Sequence, residues 1–189
     1  MGKRIVITGV PGVGKTTVVN GALGKLAEEG IIYQSINFGT VMFEVACAQK
    51  VVSDRDGMRK LPGPVQREIQ RKAAQAIAKT EGNVIIDTHC TVKTPKGFLA
   101  GLPEWVLREL MPDMVILVET DEDQILGRRL TDTTRVRDPD SSREIALHQE
   151  YNRGMAAAYS MVSGCMVKIV KNQDFLLDRA IADMAEALR

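Results

Sequence analysis

At 189 residues the chain is long enough for one well-buried domain and short for two. Hydrophobic residues at 44% and charged residues at 26% are ordinary globular values and exclude a disordered chain. A net charge of +1 speaks against a spread polyanion-binding surface, and 4% aromatics against a base-stacking platform, so no nucleic-acid partner is expected. No apolar run approaches the roughly 18 residues of a membrane span, so no membrane partner is expected either. Cys47, Cys90 and Cys165 lie far apart with no C-x-x-C pair. They read as reduced, packed thiols, which points to the cytoplasm.

The first element is a β-branched strand over 4–8, followed at once by Gly9-Val10-Pro11-Gly12-Val13-Gly14-Lys15-Thr16-Thr17. This satisfies the P-loop pattern G-x-x-x-x-G-K-[ST]. Backbone N–H groups can surround phosphate oxygens only where the chain folds tightly, and side chains at 12 and 14 would obstruct that. The helix beginning at Lys15 adds its positive end, Lys15 supplies a mobile charge, and the Thr16 hydroxyl can ligate Mg²⁺. A nucleoside triphosphate, or something close to one, is the expected ligand.

The helix carries Val19, Leu23 and Leu26 on one stripe and stops at Gly30. A strand is predicted over 31–36. About 45 residues then separate it from the next strand, far more than a simple crossover needs. This insertion holds Asn37-Phe38-Gly39-Thr40, a basic group Asp54-Arg55-Asp56-Gly57-Met58-Arg59-Lys60, and a helix marked by Val65, Ile69, Ala73 and Ile77. It is a natural place for a second substrate. The strand over 83–88 ends in Asp87, at the edge where α/β sheets place ligands, so Asp87 is a candidate to hold Mg²⁺ through water. His89 follows by two, open to either ligand contact or a structural hydrogen bond; His148 reads as a helix-surface residue.

A fourth strand is predicted over 114–120 and a helix with Arg128 after it. Arg135 and Arg137, two apart in an extended loop, project to one side. A Ser141–Glu144 capping box opens the next helix, which bears Arg153. Four arginines around one helix–loop–helix suit neutralisation of a transferring phosphoryl group. The fifth strand is predicted over 166–170, and Asp174 is the expected N-cap of a last helix burying Leu177, Ile181, Met184 and Leu188. Five continuous apolar strands alternating with helices predict a three-layer α/β sandwich on a five-stranded parallel sheet, the P-loop NTPase fold. No general base accompanies these groups, which favours a phosphate acceptor, already ionised at pH 7.

The motifs GVPGVGKTT (9–17), NFGTVMF (37–43), DRDGMRKL (54–61), VIIDTHCTVKTPKGFLAGLPEW (84–105), ILGRRLTDTTRVRD (125–138) and VKIVKN (167–172) together resemble the archaeal-type adenylate kinases. The resemblance covers almost the whole chain. It implies the reaction ATP + AMP ⇌ 2 ADP with Mg²⁺, and a homotrimer. It divides the chain into a core (1–36, 79–127, 139–189), an AMP-binding flap over about 37–78 and a lid over about 128–138. It implies that residues 9–17 cradle the ATP phosphates, that Gly39, Thr40 and Arg59 contact AMP, and that Asn172 lies near the adenine. Lys15, Arg128, Arg135, Arg137 and Arg153 would be the catalytic cations, with Thr16 and Asp87 at the metal. Thr91 stands where better-known bacterial members carry an arginine, making Lys93 the nearest cation. Two alternatives stay open on the sequence: a kinase for another nucleoside monophosphate, and a P-loop ATPase serving as a regulatory or assembly module.

Overall fold

A computed structural model describes residues 2–131 and 141–189 of the chain. Arg135 and Arg137 lie outside the described residues. Five strands, β1 (Arg4–Thr8), β2 (Tyr33–Asn37), β3 (Asn83–Asp87), β6 (Met114–Glu119) and β7 (Met166–Lys171), form one parallel sheet in the order β2-β3-β1-β6-β7. Their bounds fall within two residues of the predicted runs. A parallel sheet must be covered on both faces, and alternation along β1 shows how. Ile5 and Ile7 point into a core beneath α1 (Lys15–Glu28) and α8 (Leu177–Leu188). Val6 points into the opposite core, beneath α4 (Gly63–Ala78), α5 (Glu104–Leu110) and α7 (Ser142–Ser163).

Each core is filled by β-branched and leucine side chains with almost no exposure, such as Ile85, Leu117 and Leu107. Removing three carbons from Leu117 leaves a void that a sheet pinned on both sides cannot close. Leu117→Ala is therefore expected to lower stability by about 2–5 kcal/mol, read by urea unfolding. An unchanged midpoint would show that the site collapses freely.

Three local features differ from the sequence expectation. First, β7 is an edge strand: Met166, Val167 and Ile169 are exposed and only Val170 is fully buried. Its apolar run reflects a half-covered edge rather than burial on both faces. Secondly, Asp174 does not cap α8. The N-cap is Leu176, with no side-chain cap bond, and the buried stripe is Ala180, Met184, Ala185 and Leu188, with Leu177 exposed. Thirdly, an antiparallel hairpin, β4 (Thr91–Thr94) with β5 (Gly97–Ala100), follows β3. Its threonine, lysine and glycine content hides it from apolar patterning. The Ser141–Glu144 capping box is present, with both reciprocal bonds made.

The remaining helices, α2 (Phe38–Ala48), α3 (Arg55–Met58) and α6 (Glu122–Thr131), sit after β2 and β6. The three cysteines are free thiols. Burial pushes the Cys90 thiol up to about 12, so it fills space rather than reacting.

Candidate active site

The turn between β1 and α1 is built for close approach of backbone. At Gly9 a Cβ would lie 2.5 Å from the Val118 carbonyl oxygen. Gly14, the N-cap of α1, takes a left-handed φ of 80°, and a Cβ there would lie 2.5 Å from Asn172 Nδ2. Gly12 is left-handed as well, at φ 100°. The N-cap supplies no side-chain bond and the first turn holds no acidic residue. The amides at the head of α1 are thus left to an external anion.

The loop opens on a cleft of about 910 Å³, near the top of the usual range of about 300–1,000 Å³ for small-molecule sites. Residues 9–17, Gly39, Asp87, His89 and Arg128 all line it. Lys15 reaches across to Asp87, the terminal residue of β3, and forms an ion pair with Oδ1. Asn37 Nδ2 donates to the other oxygen at 3.4 Å. Strands β1 and β3 pair with Ile7 opposite Asp87, which is why the two meet. His89 faces the same space. Desolvation by the crowded walls, and then the Lys15 ammonium, hold its imidazole below the ordinary range, so it is neutral at pH 7.

Arg128 is strapped along the outside of the loop. Its guanidinium donates to Val13 O at 3.1 Å, to Asn172 O at 2.9 Å and to the Asp174 carboxylate at 2.5 Å. Asn172, buried at the end of β7, also donates through Nδ2 to Val13 O at 2.7 Å. Asp174 therefore serves as the anchor of Arg128 instead of a helix cap. Arg129, the next residue of α6, donates to Pro11 O at 2.7 Å. Both arginines thus brace the loop from one helix.

Other expected site residues lie off the wall of this cleft. Arg153 grips buried Glu119 through two bonds of 2.8 and 2.6 Å, with Lys171 3.4 Å from the same carboxylate. Lys93 pairs with Glu144 at 3.0 Å. Arg59 is exposed at the C-cap of α3. Thr40 bonds to the Asn37 cap, and its hydroxyl accepts from Arg55 Nη2 at 3.0 Å. His148 is half-buried rather than on the open surface: Nε2 lies 3.0 Å from Thr91 Oγ1, and its ring leans on Phe98.

Sequence reasoning passed over Arg55, Gln66 and Gln70, all of which line the cleft. Arg55 stood in the quoted basic group beside Arg59, and only the turn at Asp54, whose side chain caps Gly57, decides which of them faces inward. The glutamines lie one turn apart on α4, so they share a face.

A P-loop on a parallel sheet, with a lysine and a carboxylate at the mouth of one two-sided cleft, defines the class of P-loop phosphotransferases. The fold is similar to a shikimate kinase from Bacteroides thetaiotaomicron (TM-score 0.55, 14% identity, 98% of each chain covered). It is also similar to a sugar kinase from a Janibacter species (TM-score 0.52, 17% identity, 98% of this chain and 94% of that one). A family model described as an AAA domain matches residues 8–146. Among curated relatives, an adenylate kinase of Methanoculleus marisnigri is 61% identical over 100% of both chains. Another, of Methanocaldococcus jannaschii, is 52% identical over 99% of this chain and 98% of its own. The chain belongs to the adenylate kinases.

Proposed function

We propose that the protein transfers the γ-phosphoryl group of ATP reversibly to AMP, giving two ADP. One observation carries the reading: Asp87 is the only carboxylate lining the cleft among the described residues, and it stands beside Lys15 and Thr16, where the metal would take it. A hydroxyl acceptor would need a free carboxylate to take its proton. A monophosphate, largely ionised at pH 7, needs none. The sheet order supports two subsites. Arg128 follows β6 on one side of the P-loop, and the Gly39, Arg55 and Gln70 wall follows β2 on the other.

In this reading residues 9–17 hold the triphosphate with their amides, with Arg128 and Asn172 bracing the loop. Lys15 leaves Asp87 for phosphate when nucleotide binds. Residues 37–78 form the acceptor flap, where Gly39, Arg55 and Gln70 line the cleft, Thr40 follows Gly39 just off its wall, and Arg59 swings in only on closure. Closure over both substrates keeps water from the phosphoryl group. Of the lid over 128–138, residues 132–138, with Arg135 and Arg137, fall outside the described residues. Arg153 reaches the transferring group only by leaving Glu119, and Lys93 and His89 complete the acceptor side. Thr16 and Asp87 present hard oxygen donors beside Lys15, a set that suits a Mg²⁺ keeping most of its waters. When bound, that ion spreads the negative charge of the phosphates.

We also infer a homo-oligomer, a trimer on the family resemblance. The exposed edge of β7, with Met166, Val167 and Ile169, is an apolar surface that a second copy would cover. Free thiols at all three cysteines suit the reducing cytoplasm.

Purified protein with Mg²⁺ and ATP is expected to make ADP rapidly with AMP and little with CMP, UMP, GMP or no acceptor. Light scattering on the same sample is expected to give the mass of three chains. Preference for another monophosphate would replace the acceptor, and acceptor-independent turnover would make the protein an ATPase.

A further inference from the structure

Trp105 of α5 donates its indole N–H to Gln70 Oε1 of α4 at 3.0 Å. An indole nitrogen can only donate, so the amide is held with its oxygen toward Trp105 and its NH₂ group turned away. Among the described residues no acceptor takes the protons of that Nε2. Gln70 lines the cleft, so the polar group it offers there is a donor. Trp105 is itself fixed, half-buried with the Arg67 guanidinium 5.3 Å from its ring centre. The orientation is therefore built in before any ligand arrives.

The cleft that Gln70 lines also carries apolar side chains. Val92 and Leu99 face each other across the β4–β5 hairpin and remain 42% and 61% exposed, leaving apolar surface for a ligand to cover. With Met42 from α2 they line the same cleft. A flat, apolar-faced ring with an acceptor on its edge fits such a surface, whereas a phosphate does not.

We propose that Gln70 is a specificity-determining residue for the acceptor base, and that Trp105 is the positioning residue that fixes its amide. This inference rests on reading the protein as an AMP kinase. Adenine carries an unprotonated ring nitrogen, N1, which accepts from Nε2. Hypoxanthine and guanine carry N–H at that atom and would set donor against donor. A site whose buried polar group loses its partner rejects the wrong ligand far more strongly than one that merely loses contact area.

The test is the ratio of kcat/KM for AMP to that for IMP, which differs from AMP only at the C6 substituent and the N1 proton, with the KM for ATP followed in parallel. Gln70→Glu keeps an acceptor for the indole and turns a second acceptor to the cleft. It is expected to lower the AMP:IMP ratio by about tenfold or more, with the KM for ATP little changed. Trp105→Phe keeps the ring but frees the amide to flip, and is expected to lower the ratio severalfold, chiefly through the acceptor KM. Parallel losses with both acceptors, leaving the ratio unchanged in both variants, would show a purely structural pair and overturn the proposal. Failure of the wild-type protein to use AMP would instead remove the AMP-kinase reading, and this inference with it.

Discussion

Lys15→Met is expected to lower kcat by about a thousandfold or more while leaving the fold intact. The side chain is 18% exposed and lies at the head of α1, where the amides of the loop converge. Charge builds on the phosphoryl oxygens as the bond to the leaving group breaks, and Lys15 is the only lysine that lines the described cleft. Methionine has nearly the same length and apolar stem but no charge, so binding geometry survives and neutralisation does not. Stability responds differently. The partner Asp87 is 38% exposed, so water can solvate it once the ammonium is gone, and such half-exposed pairs contribute about 1 kcal/mol or less. The check is kcat beside a urea midpoint on the same preparation. Retention of most of the wild-type kcat would remove Lys15 from the transfer step.

Asp87→Asn separates two roles for the carboxylate. If Asp87 does no more than hold Lys15, asparagine frees the ammonium, and the dependence on Mg²⁺ stays as it was. In the proposed site Asp87 also holds a water of the metal, and removing such an outer partner costs about 10–100-fold in activity or metal affinity. A drop in kcat of that size is therefore expected, together with a higher Mg²⁺ concentration for half-maximal rate. The bond from Asn37 Nδ2 can still be accepted by the new amide oxygen, which limits structural disturbance. A variant with lower activity but unchanged Mg²⁺ titration would confine Asp87 to positioning Lys15.

The phosphate loop was legible because its constraint is local. Left-handed φ at Gly12 and Gly14, and the close approach of backbone at Gly9, demand glycine at those spacings whatever surrounds them. The buried strands were legible for a similar reason, since a parallel strand covered on both faces needs an unbroken apolar run. Apolar patterning failed at the β4–β5 hairpin, whose residues lean on α7 through Thr91 and Asn152. It placed β2 and β7 but not their exposure, which only the edge positions in the sheet decide.

By itself, then, the sequence of this protein determined a phosphate cradle, its lysine, the terminal Asp87 and a parallel sheet to carry them. Each depends on backbone conformation or on burial repeated along a few neighbouring residues. Only the tertiary structure decided which polar side chains act together. Arg128 meets Asp174 across 46 residues, Arg153 meets Glu119 across 34, and Trp105 orients Gln70 across 35. No local spacing encodes such pairs. They form because the sheet order and the packing of α4 on α5 bring hydrogen-bonding groups distant in the chain together.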